Sequence, residues 1–385
     1  MSYMYLLEPL APLIFRSGKQ FGSEVEVDGA NFPLPSSSAG LIRTVLADQQ
    51  QMSFDGDLSE LLGTQVGGPL LARFDPDEPE LAQLLVPRPA DAVCFKDTQL
   101  ATQVVRLAPK TLSDSVGTDL PAGLSPVQAL TNFEGKPTQS LQFWSLSDLM
   151  RWQKQDIEFE QLQQNGLDSL PIERRTHVSI DPGSQAHVEG GLFQTAGLDL
   201  AAPRLNQRGF SKQRLGFWLS SAAKLNSDLV TFGGERRLSK LQLVELESVK
   251  APADLSSQIK QAGRLKLTLL TPALFSQGSL AGWLDDELTG CIPGTNFKVR
   301  LHAMAIERWE PISGFDLKRW KPKVMRKAVA AGSVLWFEIL DPQTVTDDAL
   351  QQLWLKCISD SVQDRLDGFG LVLPAAYSIN NKNFL

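Results

Sequence analysis

The chain is short of the residues that carry most enzyme chemistry. Three histidines, His177, His187 and His302, are all that its 385 residues contain. The three cysteines, Cys94, Cys291 and Cys357, are widely scattered and form no CxxC pair. That excludes a disulfide framework and a zinc knuckle, and it fits a reducing cytoplasm. No apolar run approaches the roughly 18 residues of a membrane span. The opening MSYMYLLEPLAPLIF lacks a basic leader and is interrupted by Glu8, Pro9 and Pro12, so neither a signal peptide nor membrane contact is expected. GxxxxGK[ST], GxGxxG and HExxH are absent. His177 and His187 have no third ligand at a suitable spacing, so no metal is expected. No cofactor is implied either.

Positive charge is also in deficit. Lys and Arg number 37 against 44 Asp and Glu, a net charge of −7, which taken alone argues against a polyanionic partner. The distribution argues the other way. Residues 48–80 hold eight acids (Asp48, Asp55, Asp57, Glu60, Asp75, Asp77, Glu78 and Glu80) against Arg73, which accounts for the whole deficit. Cations gather elsewhere: eight in 204–240 against Asp228 and Glu235, and six in DLKRWKPKVMRK (316–327) against Asp316. A phosphate-binding face can coexist with an acidic face turned to solvent or to a basic neighbour.

With 29 glycines and 23 prolines, short elements and many turns are expected. YMYLL reads as a strand stopped by proline. PLPSSSAGLIRTVLADQQ reads as a helix, with Ser36, Ser37 and Ser38 as caps and Leu41, Ile42, Val45 and Leu46 at helical spacing. Residues 48–140 read as loop-rich with short strands, and WSLSDLMRWQKQ as a helix capped by Ser147. RRTHVSID alternates Thr176, Val178 and Ile180 against His177 and Ser179, the period of a strand. KLQLVELESV and RLKLTLLTP are strands on either side of KAPADLSSQIKQAG, the best linker. KVRLHAMAIERW and SVLWFEIL follow as strands, and DALQQLWLKCISD as a helix. Elements mixed without βαβ regularity indicate an α+β fold. A faint duplication is visible. LLEP (6–9) and LLTP (269–272) each end a first strand, and FGGERR (232–237) and DGFG (367–370) each precede a last one.

Two glycine loops are candidate backbone sites. GFGLVLP (368–374) is similar to the strand motif of RNA-recognition domains, but Asp367 replaces its cation and Leu371 and Leu373 its stacking rings. What survives is a loop whose N–H groups could reach a phosphate. FGGERRLSK sets Gly233 and Gly234 beside Arg236, Arg237 and Lys240, and Arg can fork two donors onto one phosphate. The histidines offer a rival chemistry, with His177, His187 or His302 as the base of a ribonuclease.

LEPLAPLIFRSGKQFG, PLPSSSAGLIRTVL, RRTHVSIDPGSQAHVEGGLFQT, FGGERRL, TPALFSQG, GFDLKRWKPKVMRKAVAAGSVLWFEI and GFGLVLPAAY follow in that order across residues 7–377. Together they resemble the RAMP superfamily, and within it the 5′-handle-binding subunits of type III-B CRISPR (Cmr) effector complexes. Ala11 and Ser17 stand where that family has Asp, which leaves Arg16 and Lys19 for phosphate. The resemblance implies tandem ferredoxin-like (RRM-related) domains with a Gly-rich loop near the C-terminus. The first would span 1–255, with insertions at about 48–140 and a hairpin at 174–195, and the second 256–385.

The resemblance also implies a non-catalytic subunit of a cytoplasmic antiviral ribonucleoprotein. It would cap that hetero-oligomer and hold the guide (cr)RNA 5′ handle against the large palm-domain subunit and the backbone subunits. The alternative in the same superfamily is an endoribonuclease processing guide precursors. RNA contacts are expected from Arg16, Lys19, Arg174, Arg175, His177, Arg236, Arg237, Lys318, Arg319, Trp320, Lys321, Lys323, Arg326 and Lys327. Backbone approach is expected at Gly233, Gly234, Gly368 and Gly370, and base stacking on His177, Phe193, Phe210, Phe315, Trp320 or Phe369. The hairpin would turn at Asp181-Pro182-Gly183 and return through Val188 to Phe193, with Arg174 and Arg175 on phosphate and His177 beside a base.

Overall fold

The computed structural model describes residues 2–15, 30–54, 56–96, 101–112, 116–131, 133, 135–200, 205–206, 209–210, 212–316 and 321–378. Arg16, Lys19, Lys318, Arg319 and Trp320 lie outside the described residues, as do the side chains of Phe210 and Phe315. The fold is α+β, built on antiparallel sheets with short helices. Among the described residues no helix is long and apolar enough to cross a membrane.

The first half lays down β1 (Tyr3–Pro9), α1 (Pro35–Gln49), α2 (Ser59–Gly63), β2 (Val66–Asp75), β3 (Glu78–Pro87), β4 (Phe143–Ser145), α3 (Leu146–Trp152) and α4 (Phe159–Asn165). It continues with the paired β5 (Ile172–Ile180) and β6 (His187–Leu198), then β7 (Arg214–Ser221), β8 (Asp228–Thr231) and β9 (Leu238–Val244). Seven of these strands form one sheet in the order β8-β9-β1-β7-β2-β3-β4. The second half runs α5 (Leu255–Ala262), β10 (Arg264–Leu269), β11 (Thr289–Cys291), β12 (Lys298–Ala305), β13 (Trp309–Ile312), β14 (Arg326–Val329) and β15 (Val334–Ile339). It ends with α6 (Asp347–Gln351), β16 (Lys356–Cys357), α7 (Val362–Leu366) and β17 (Leu371–Ala376). Its sheet has the order β11-β12-β15-β10-β17-β16. The four central strands of both sheets follow one rule, fourth-first-third-second: β9-β1-β7-β2 and β17-β10-β15-β12.

Several local expectations are corrected, among them the helix DALQQLWLKCISD, which runs only over Asp347–Gln351 before the strand Lys356–Cys357. α1 opens on Pro35 in its first turn after Leu34, with no serine side chain capping it; the ring pre-sets the helical φ and forfeits only an N–H that would be orphaned anyway. α3 is capped by Ser145 rather than Ser147, its Oγ accepting from the Asp148 N–H at 3.0 Å. β2 and β3 are long strands of the main sheet where short ones in a loop-rich stretch are expected; β2 is buried on both faces, so VGGPLLARF shows no alternation to betray it. Within 48–140, the strands Ala92–Lys96, Thr102–Pro109, Val127–Ala129 and Lys136–Pro137 form a separate four-stranded sheet. The polar linker carries a helix, α5, which buries Leu255 and Ile259.

Strand alternation gives the first sheet two apolar faces. Tyr5, Leu7 and Phe217 face Ile42 and Leu46 of α1, while Leu6, Leu70 and Trp218 face a core that also takes Leu270, Leu371 and Leu373 from the second half. The second sheet buries Leu265, Leu267 and Leu269 against α5. Its other face carries Lys266, only 3% exposed. Lys266 Nζ lies 3.0 Å from Asp91 Oδ2, and Trp152 Nε1 donates to Asp91 Oδ1 at 2.9 Å. Burial pushes the Lys266 amine below its usual range, against the pull of Asp91. This pair joins the two halves through a desolvated contact, so its partners are not independently removable.

Asp91→Ala should cost about 3–5 kcal/mol, because it strands a buried ammonium, whereas Asp91→Leu with Lys266→Met should recover most of the loss. Denaturant unfolding checks both; a single variant within about 1 kcal/mol of wild type would show the pair to be dispensable.

Candidate nucleic-acid interface

The β5–β6 hairpin leaves the body as an arm, with nearly every residue from 174 to 194 exposed. Its turn is set by Asp181, whose Oδ1 accepts from the N–H groups of Gly183 (3.1 Å) and Ser184 (2.7 Å). Those bonds hold its carboxyl below the usual range. The register shifts between His187 and Leu192, at Gly190 and Gly191, and Gly190 takes a positive φ of 72°. Beyond the shift His177 pairs with Phe193, and their rings stack at 5.1 Å with 19° between planes. His177 Nε2 also lies 3.0 Å from Thr195 Oγ1. Val178, Ile180, Val188 and Leu192 are exposed by 43–65%. An arm with apolar groups in water has the character of a binding surface rather than of a core. Arg174 is exposed, and Arg175 is paired with Glu173 at 3.0 Å.

The glycine loops do not behave as phosphate cradles. The N–H of Gly234 donates to Ile14 O at 2.8 Å. Beside it Arg237 is paired with Glu235 at 2.6 Å, while Arg236 is exposed. In the C-terminal loop, the N–H groups of Gly368, Phe369 and Gly370 donate to Arg365 O, Asp364 O and Pro272 O. No amide of this loop is left for an anion. Phe369 is 1% exposed, packed with Leu274, Ile312, Ala328 and Leu34, so its ring cannot stack on a base. Gly234, Gly368, Phe369 and Gly370 thus each have their backbone N–H bonded within the chain.

The basic stretch divides. Lys321, Lys323 and Lys327 are exposed, but Arg326 is fixed by a fork of two 2.8 Å bonds to Asp364. Sequence reasoning missed that acid and also missed Arg43. Arg43 lies in the apolar run LIRTVL of α1 and is 8% exposed; it binds Asp367 at 2.6 Å and the carbonyls of Leu62 and Thr64 at 3.1 Å. An arginine interrupting the buried face of a helix was the available signal, since a buried guanidinium demands a partner.

The histidines do not converge. His177 and His187 sit at different levels of the arm, and His302 lies on β12, where burial pushes its pKa down. Among the described residues no group of three or more His, Cys, Asp or Glu is placed to hold a metal.

Two antiparallel sheets sharing one strand order, with a solvent-exposed hairpin on the first half, define an α+β scaffold. The model of the CRISPR-associated protein (Cas_Cmr3) family matches residues 5–375, and the chain belongs to that family. No curated protein matches it. A chain in the cryo-EM structure of the type III-B Cmr-beta bound to cognate target RNA is similar, with TM-score 0.50 at 18% identity over 96% of each chain. A chain in the same assembly with AMPPnP, state 1, gives 0.47 at 18% identity over 90% of each. At such identity the first of these speaks for the fold alone.

Phe369→Ala should lower stability by about 3–5 kcal/mol through the cavity it leaves. His177→Ala, on the exposed arm, should stay within about 0.5 kcal/mol of wild type. Thermal and denaturant melts compare them, and a harmless Phe369→Ala would return that ring to the list of RNA contacts.

Proposed function

We propose that the chain is a non-catalytic RNA-binding subunit of a type III-B CRISPR effector complex. In this reading it caps the assembly, holds the 5′ handle of the guide RNA, and lies against the large palm-domain subunit and the backbone subunits. The observation that carries it is the β5–β6 arm, an exposed ribbon with a His177–Phe193 stack and arginines at its base, on a chain of the Cas_Cmr3 family. The similar fold in an assembly bound to target RNA supports the same reading. The repeated fourth-first-third-second strand order supports tandem ferredoxin-like domains.

The chemistry follows from the parts. Exposed rings and apolar side chains suit unstacked bases, which is how single-stranded RNA is read with sequence preference. Arg174, Arg175 and Arg236 suit phosphates, which position the strand without reading it. The dispersed histidines leave the ribonuclease reading without a cleft that they share.

Photo-crosslinking of a 5′-handle RNA to the assembled complex should place the adduct on the peptide containing His177 and Phe193. Arg174→Ala with Arg175→Ala should flatten the slope of log affinity against log salt by about 1.4, the value for two phosphates on a single strand. Adducts confined to other peptides would sink the arm's role. Cleavage of a guide precursor by the wild type, lost on replacing His177, His187 or His302, would establish the enzyme instead.

A further inference from the structure

The two halves repeat more than a strand order. In the first, the LLEP strand end leads to Leu13, which bridges Leu198 at the root of the β5–β6 arm through bonds of 2.9 and 2.8 Å. In the second, LLTP leads to Ala273, which bridges Val329 at the end of β14 through bonds of 2.9 and 2.8 Å. The glycine loop before the last strand then donates one N–H to the same linking segment: Gly234 to Ile14 O at 2.8 Å, and Gly370 to Pro272 O at 2.7 Å. Both hairpins leave the sheet between the second and third of its four central strands, β5–β6 between β2 and β7 and β13–β14 between β12 and β15. The β13–β14 hairpin is thus the topological counterpart of the β5–β6 arm.

Its chemistry is different. The β5–β6 arm carries two arginines against Glu173, Asp181 and Glu189, with exposed apolar groups between them. The described part of the second arm carries Lys321, Lys323, Arg326 and Lys327 against Glu310 and Asp316. Arg326 is spent on Asp364, and Ala328, on the same strand face, is buried beside Phe369, so this face locks the root to the body. Lys327, on the other face, lies 5.3 Å above the ring of Trp309, which is 56% exposed. Lys321 and Lys323 continue outward into solvent. Lysines beyond an anchored root keep their charge solvated, at little cost in folding energy.

We infer that β13–β14 is a second RNA-gripping arm, holding the sugar-phosphate chain through Lys321, Lys323 and Lys327 while the β5–β6 arm meets bases. This rests on the chain being an RNA-binding subunit. Lysines are point charges that neutralise phosphate without discriminating bases, so the second arm adds affinity and register rather than sequence preference.

The test is binding of a fluorescent single-stranded handle RNA to the full chain, alone and in the guide-free complex, across a salt series. Lys321→Gln, Lys323→Gln and Lys327→Gln together should flatten the log–log salt slope by about 2, three phosphates at ~0.7 each. The matching Lys→Arg variant should keep the wild-type slope. All three residues are exposed, so the melting temperature should not move. An unchanged slope in the Gln variant, with Arg174→Ala plus Arg175→Ala still flattening it, overturns the second arm and leaves the RNA reading standing. No salt-dependent binding by the wild type overturns both. Loss of a protein subunit by the Gln variant, with its RNA slope intact, would assign the lysines to an acidic protein face and overturn the inference.

Discussion

At Gly368 the chain of the second half passes so close to the first that a Cβ there would sit 2.9 Å from Gly68 O and 3.1 Å from Val66 O. The residue also holds a φ of +96°, a conformation that side chains resist. Around this contact the stretch 364–370 reaches in three directions. Asp364 takes the fork from Arg326 on β14, Asp367 takes Arg43 from α1, and Phe369 fills the space between Leu34 of the first half and Ile312 of the second. One tight turn therefore fixes the relation of the two sheets and the direction of the second arm. The buried Lys266–Asp91 pair makes a second tie between the halves. Such a pair adds little net stability but penalises any arrangement that separates its members.

This joint accounts for the composition of the C-terminal glycine loop better than ligand binding does. A loop reserved for phosphate must leave its N–H groups unpaired in the free protein. The C-terminal loop spends all three on carbonyls of the chain, two of them in the preceding turn and the third that of Pro272. Its glycines serve close approach of backbone to backbone, the same demand that a phosphate would make, which is why the two uses look alike in a sequence.

Legibility divided along that line. The β5–β6 arm was readable because period-two alternation, a turn at Asp181-Pro182-Gly183 and flanking polarity are local signals. The duplicated LLxP and glycine motifs were readable as repeats, and the structure shows what each half does with them. β2 escaped because a strand covered on both faces has no alternation, and its Gly-Gly-Pro suggested a turn. Arg43, Asp364 and Asp367 escaped for another reason. The paired residues lie 324 positions apart for Arg43 and Asp367 and 38 for Asp364 and Arg326, and no local spacing rule reaches that far. Surface arginines and anchoring arginines are written with the same letter; only the fork to Asp364 separates Arg326 from Lys321 and Lys323.

The two roots also explain how one scaffold can present unlike arms. A two-stranded ribbon is marginal by itself in water, so each arm depends on the bridge at its base, Leu13 to Leu198 or Ala273 to Val329. The bridging residues are buried and constrained in size and conformation. Beyond them the side chains face solvent, where most replacements change stability by only about 0.5 kcal/mol. The fold thus fixes where each arm stands and leaves its chemistry nearly free. Stacked rings with few net charges on one arm, and lysines on the other, are both compatible with the same root.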